Sequence, residues 1–223
     1  MLKEENFKGI KYLISYPEDF CKENRYPLVI FLHGAGTRGE NTDLLKVNPN
    51  FLNLAKRQSD RGYILVAPLC SVSNWNEVMS ELISLTETLI SLPFVEKSRV
   101  YLTGNSMGGY GTWELGALRP ALFAAIMPVC GGGIPWRAVA LKNLPIRTFH
   151  GLRDEVVDPI ESLQMAKAVN KNGGYAQLIL FPECDHNCWD AVYTDEKNYD
   201  WLLSFENGKG KKTIEKLSGS FFG

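Results

Sequence analysis

Ser106 stands at the apex of Gly104-Asn105-Ser106-Met107-Gly108-Gly109, between the apolar run Val100-Tyr101-Leu102 and the stretch Tyr110-Gly111-Thr112-Trp113. A Gly-x-Ser-x-Gly turn between a strand and a helix forces the serine backbone into strain. It also holds the hydroxyl clear of the sheet, where a base and a substrate both reach it. The glycines have a steric reason, since a side chain at 104 or 108 would collide with the neighbouring strand or with the helix that starts at the turn. The chemistry suggested is nucleophilic attack by Ser106. A glycine-rich turn with an ordinary serine accounts for the hexapeptide equally well in isolation, so its surroundings must decide.

A serine hydroxyl is a poor nucleophile until a base takes its proton. The chain has three histidines. His33 and His150 each follow an apolar run and directly precede a glycine, a place where histidine usually bonds loop backbone and shapes the turn. His186 sits in Pro182-Glu183-Cys184-Asp185-His186-Asn187-Cys188-Trp189, after the last strand, where a parallel sheet gathers its functional loops. The imidazole needs a carboxylate to fix its tautomer, and the loop Gly151-Leu152-Arg153-Asp154 offers Asp154. Asp158, followed by Pro159 and Glu161, reads as a helix cap, and Asp185 as a solvated loop residue.

Ser106, Asp154 and His186 therefore form the candidate triad, in the chain order Ser, acid, His. The glycine-rich loop His33-Gly34-Ala35-Gly36-Thr37-Arg38-Gly39 follows an early strand. It can offer the backbone N–H of Ala35, with Gly34 or Gly36 as alternatives; together with the N–H of Met107 this makes a candidate oxyanion hole. A phosphate-cradling role fits poorly, because the Lys and Ser/Thr of nucleotide-binding loops are missing. Trp75, Trp136 and Trp189 are candidate pocket residues, and Trp113 a core residue. Cys184, His186 and Cys188 are spaced tightly enough to ligate a metal, yet no fourth ligand is evident, so neither metal nor cofactor is expected.

The elements that must position these residues follow from apolar spacing. Strands are predicted near 11–15, 28–32, 64–67, 100–103, 124–129, 146–149 and 177–181. Val78, Leu82, Leu85, Leu89 and Leu92 recur at helical spacing up to Pro93, and a second helix is predicted over 159–172, ending at Gly173-Gly174. Strand and helix in alternation predict an α/β fold, a mostly parallel sheet with helices on both faces. The short interval between the strands near 129 and 146 leaves room for a loop but hardly for a cap domain. An open pocket suited to small or soluble esters is expected.

With 223 residues, 45% of them hydrophobic and 22% charged, the chain can bury a large core without disulfide or metal support. One domain over 1–206 and a polar tail over 207–223 are expected. A net charge of −1 gives no footprint for nucleic acid or an anionic membrane. No stretch has the length of a membrane span, and five scattered cysteines fit a reducing, cytoplasmic compartment. The expected partner is a small-molecule ester.

Three segments carry a family resemblance: His33-Gly34-Ala35-Gly36-Thr37-Arg38-Gly39, Thr103 through Trp113, and Asp185-His186-Asn187-Cys188-Trp189. The chain resembles the α/β-hydrolase superfamily, in particular its phospholipase/carboxylesterase and dienelactone-hydrolase-like serine esterases, including relatives labelled predicted peptidases. The likeness runs from about 26 to 205. It implies an α/β-hydrolase fold, triad roles for Ser106, Asp154 and His186, and oxyanion roles for Ala35 and Met107. It also implies acyl transfer through an acyl-enzyme, with peptidase activity or a catalytically silent binding scaffold as the alternatives. Two departures stand out: Thr37 and Asp158 occupy places where relatives often carry an acidic residue and a valine. The cysteine nucleophile of true dienelactone hydrolases does not carry over, because Ser106 occupies its place.

Overall fold

A computed structural model of the chain describes residues 1–208. In chain order the elements are β1 (Leu2–Phe7), β2 (Ile10–Ser15), β3 (Tyr26–Leu32), α1 (Asp43–Lys46), α2 (Pro49–Arg61), β4 (Ile64–Pro68), α3 (Met79–Ser91), β5 (Val95–Asn105) and α4 (Met107–Leu118). They continue with β6 (Ala125–Val129), β7 (Ile146–Gly151), α5 (Ile160–Lys171), β8 (Ala176–Phe181), α6 (Trp189–Thr194) and α7 (Glu196–Leu203). The strands form one sheet in the order β1-β2-β4-β3-β5-β6-β7-β8. Pairing is antiparallel from β1 to β2 and from β2 to β4, and parallel from β4 across to β8.

A strand covered on both faces must be apolar at every position rather than at alternate ones. In β3, Tyr-Pro-Leu-Val-Ile-Phe-Leu, all seven residues are buried. Leu28, Ile30 and Leu32 pack with Leu82, Leu85 and Leu89 of α3, Trp113 of α4 and Met165 of α5. Val29 and Phe31 pack on the other side with Phe51 and Leu54 of α2, Val192 of α6 and Leu202 of α7. The two cores thus grip the middle of the sheet, where β3 and β5 lie side by side.

Both helices predicted from spacing are present within a residue or two. A single 3-10 turn, Trp75–Val78, precedes α3. Asp158 caps α5 as expected of it, its Oδ1 accepting the Ile160 N–H at 2.9 Å, although regular helix starts one residue after Pro159. Of the elements that go beyond the sequence-based expectations, which are β1, α1, α2, α6 and α7, two stand at the sheet edge and the site. β1 is an edge strand carrying Lys3, Glu4 and Glu5, a hairpin partner of β2 through Lys8 (φ 49) and Gly9 (φ 90). The other is α2, whose Asn48 side chain accepts the N–H groups of Asn50 and Phe51, with Pro49 at the first position and Gly62 left-handed at the end.

Between β6 and β7 the chain forms only a 3-10 helix, Pro135–Leu141, so no cap domain is inserted there. No helix among the described residues is long and apolar enough to cross a membrane. Asn207 donates its N–H to Ser98 O at 2.7 Å, and the rest of the expected tail, beyond Gly208, lies outside the described residues.

Candidate active site

After β3 the chain goes to β4 on one side of it and then to β5 on the other. Loops leaving the carboxyl ends of β3 and β5 therefore diverge, and a crevice opens between them. The loop after β3 is 33–39, and the turn after β5 carries Ser106.

Ser106 has φ 55 and ψ −118, a conformation that L residues rarely adopt. Its N–H donates to Val129 O at 2.9 Å and its carbonyl accepts from Tyr110 N–H at 3.1 Å, which hold it in place. The glycines let α4 come close to the sheet. A Cβ on Gly104 would lie 2.5 Å from Gly108 O and 2.6 Å from Leu32 O, and a Cβ on Gly108 would collide with the Leu32 carbonyl.

His186 reaches the turn from the loop after β8. Its Nε2 lies 2.8 Å from Ser106 Oγ and its Nδ1 2.7 Å from Asp154 Oδ2. Since the carboxylate can only accept, the ring proton sits on Nδ1 and the Nε2 lone pair faces the serine hydroxyl. The Trp189 ring stands edge-on to the imidazole, with centroids 5.0 Å apart. Asp154 lies on the loop after β7, its side chain fully buried. Its Oδ1 accepts the N–H groups of Val156 and Val157, each at 2.9 Å. Burial would raise the carboxyl's pKa, but the bond from His186, then those from Val157 and Val156, outweigh it and hold Asp154 below the usual carboxylate value.

Met107 is the first residue of α4, so its N–H has no acceptor within the helix. Across the crevice, the loop bearing Ala35 is tied down from several sides. Arg38 donates from Nε to Ala35 O (3.0 Å) and from its guanidinium to Ser73 O (2.8 Å). Asn48 Nδ2 donates to Thr37 Oγ1 at 2.8 Å, joining the loop to the start of α2. His33, as expected of a turn-shaping histidine, bonds backbone on both sides: Nδ1 lies 2.7 Å from Gly34 O, and Nε2 accepts the Cys70 N–H at 2.9 Å.

Burial lowers the His33 pKa from 6.5 to about 4. Above pH 6.5 neither the folded nor the unfolded chain protonates this ring. Between 6.5 and about 4 only the unfolded chain does, so its contribution is lost as pH falls through that window, on the order of 3 kcal/mol in all. Denaturant unfolding at pH 7.5, 6 and 5 is expected to show a steeper decline for the parent than for a folded His33→Gln variant. Equal slopes would contradict this role.

Ser106 and His186 open on a cleft of about 410 Å³ lined by Gly34, Ala35, Asn50, Asn105, Val156 and Trp189 among others. A second cleft of about 310 Å³ runs past Met107, with Trp75, Tyr110 and Asn76 along it. The three candidate tryptophans are thus separated. Trp189 borders the first cleft. Trp75, 1% exposed, lies at the second, its indole N–H held by His33 O at 3.1 Å. Trp136 is 78% exposed on the 3-10 helix after β6 and borders neither cleft. Trp113 is fully buried, as expected of a core residue.

Of the cysteines weighed as ligands beside His186, Cys188 turns inward, its Sγ 2.8 Å from Cys130 Sγ at the end of β6. The sequence reading did not single out Asn48, Asn50 or Asn105 at the cleft. The signal for the first two was the Asn48-Pro49 helix start.

A family model described as the dienelactone hydrolase family matches residues 47–199. "Probable feruloyl esterase C" of Aspergillus terreus is 25% identical over 176 residues, 76% of this chain and 64% of that protein. Over 63 residues the chain is 40% identical to dipeptidyl-peptidase 5 of Aspergillus fumigatus, 8% of that protein's length. Among solved structures, that of a thermostable esterase superposes with a TM-score of 0.77 at 27% identity, covering 92% of this chain and 63% of that one. The chain thus spans less than two thirds of the feruloyl esterase and of the thermostable esterase. The architecture is the α/β-hydrolase fold.

Proposed function

The chain belongs to the dienelactone hydrolase family, and from that premise we propose that it is a serine hydrolase of the carboxylesterase type, cleaving small or soluble esters through an acyl-enzyme. One observation carries the reading: the unbroken hydrogen-bond path Ser106 Oγ, His186 Nε2, His186 Nδ1, Asp154 Oδ2, opening on a cleft. Ser106 attacks the ester carbonyl carbon while His186 Nε2 takes the hydroxyl proton. The backbone N–H groups of Ala35 and Met107 receive the developing oxyanion. As the tetrahedral intermediate collapses, His186 returns the proton to the departing alkoxide, and the acyl group stays on Ser106. Water then repeats the sequence, losing a proton to His186 and releasing the acid.

Asp154 fixes the His186 tautomer and stays ionised throughout. The clefts, with no cap domain above them among the described residues, suit small or soluble substrates, Trp75 and Trp189 supplying apolar walls. A peptidase reading has the short dipeptidyl-peptidase 5 likeness behind it. An odd number of cysteines scattered along the chain supports a reducing, cytoplasmic setting.

A fluorophosphonate probe is expected to label the protein once, with the adduct on the peptide containing Ser106. A panel crossing acyl length with alcohol type, including a feruloyl ester, an acetylated sugar and a peptide amide, should show turnover highest on short or aromatic acyl esters. Labelling elsewhere, or a peptide amide cleaved faster than every ester, would overturn the proposal.

A further inference from the structure

His150, near the end of β7, is fully buried and bonds loop backbone as its place in the sequence suggests, its Nε2 lying 2.9 Å from Val157 O. The same Nε2 lies 3.1 Å from Asp154 Oδ2, the carboxylate oxygen that also binds His186 Nδ1. Both neighbours of Nε2 can only accept, so Nε2 carries a proton and donates. The ring's orientation is fixed from its far side. Nδ1 lies 2.8 Å from Ser162 Oγ, a fully buried hydroxyl of α5 that is itself 2.7 Å from Gly131 O. A ring gripped at both nitrogens aims its N–H between Val157 O and Asp154 Oδ2, so the acid shares this donor with one backbone carbonyl.

Asp154 therefore has four donors. Val156 and Val157 bind Oδ1, and two imidazoles share Oδ2. We propose that His150 is a positioning residue which, by competing with His186 for Asp154 Oδ2, sets how firmly His186 holds the proton it takes from Ser106. This rests on the acyl-transfer reading of Ser106. A carboxylate oxygen that accepts two N–H groups divides its charge between them. Without the His150 N–H, more of that charge falls on His186, whose protonated form gains.

Other titratable groups face the three. Cys130, at the end of β6, lies with His150 and Asp154 in a group whose polar atoms are within 4.8 Å of one another. Cys188 stays neutral because the hydrogen bond with Cys130 and burial raise its pKa, and Tyr110 on α4 because burial raises its own. Glu161 of α5 approaches Tyr110, while Arg153, Glu155 and Asp185 border the outer side of His186. None of these donates to Asp154 Oδ2 in the structure, so His150 is the group whose removal changes the acid directly.

The first arm of the test needs no variant. In protein labelled with ¹⁵N-histidine, the His150 Nε2–H resonance is expected to shift in step with the titration of His186, because both protons lie on one oxygen. A His150 signal that stays constant across that titration overturns the proposal, and this arm does not depend on any esterase activity. In the second arm, His150→Phe removes the donor while His150→Gln keeps an N–H in the Nε2 position. His150→Phe is expected to lower kcat about tenfold with KM little changed and to move the acid limb of the kcat/KM profile upward by about half a pH unit or more. His150→Gln should restore most of both.

An acid limb unmoved in folded His150→Phe, or a His150→Gln that falls as far as His150→Phe, overturns the proposal. A parent protein that turns over no ester instead counts against the acyl-transfer reading and leaves the resonance arm to decide the role of His150.

Discussion

Ser106→Ala is expected to lower kcat on a short-chain p-nitrophenyl ester by about 10⁴- to 10⁶-fold, leaving only what substrate binding and the oxyanion donors supply. The loss should be chemical, not structural. Ser106 Oγ has His186 as its hydrogen-bond partner, whereas the backbone at 106 is fixed by Val129 O and Tyr110 N–H, which alanine keeps. The positive φ of 55 is as awkward for alanine as for serine, so the turn gains no reason to relax. KM should change little, circular dichroism and Tm should match the parent, and fluorophosphonate labelling should vanish. A purified, folded variant with more than about one hundredth of the parent rate would sink the nucleophile assignment.

The difference between what the sequence disclosed and what it did not follows the range of the interactions. β3 and β6 are legible because strands buried on both faces are apolar nearly throughout, and few other segments are. The Ser106 turn is legible because its steric demand falls on neighbours in the sequence: Gly104 and Gly108 are small for the sake of the turn they flank. The choice between Asp154 and Asp158 was also local, since the capping pattern after 158 explained that residue. In the structure Asp158 caps α5 while Asp154 faces His186.

Elements defined by what surrounds them were not legible. β1 presents Lys3, Glu4 and Glu5 to solvent on both faces because it is an edge strand, and that pattern reads as a polar terminus. In α2 the buried stripe holds Phe51 and Leu54 but also Asn50 and Gln58, so few apolar residues mark it as a core-facing helix. Trp136 is aromatic and exposed, against the usual tendency of large apolar side chains, and nothing local marks it as lying away from the clefts. The second imidazole on Asp154 is the extreme case. His150 and Asp154 are four residues apart, yet their contact depends on Ser162 and Gly131, which arrive from other elements to hold the ring.

Asp154→Asn is expected to cost about 10⁴-fold in kcat while leaving the fold intact. The amide can face either way, and both orientations fail. With its oxygen on Val156 N–H and Val157 N–H, its NH₂ points at His186 Nδ1 and His150 Nε2, where a carboxylate oxygen stood. His186 must then accept at Nδ1 and carry its proton on Nε2, directed at Ser106, and the lone pair that should take the serine proton is gone. Turned round, the NH₂ confronts two backbone N–H groups, which leaves buried donors unpaired at about 1–3 kcal/mol each. The first orientation therefore prevails, and the variant folds with the wrong tautomer. In the parent, Asp154 is held below the usual carboxylate value, so its contribution to stability is present above the unfolded value of 3.8 and is lost only as pH falls through the lower folded one. Across pH 5 to 8 the parent should show no loss of rate from protonation of Asp154, and the variant should stay slow over the whole range. A folded Asn variant within about tenfold of the parent would mean that the carboxylate does not govern the His186 tautomer, and the hydrogen bond at 2.7 Å would then be packing rather than mechanism.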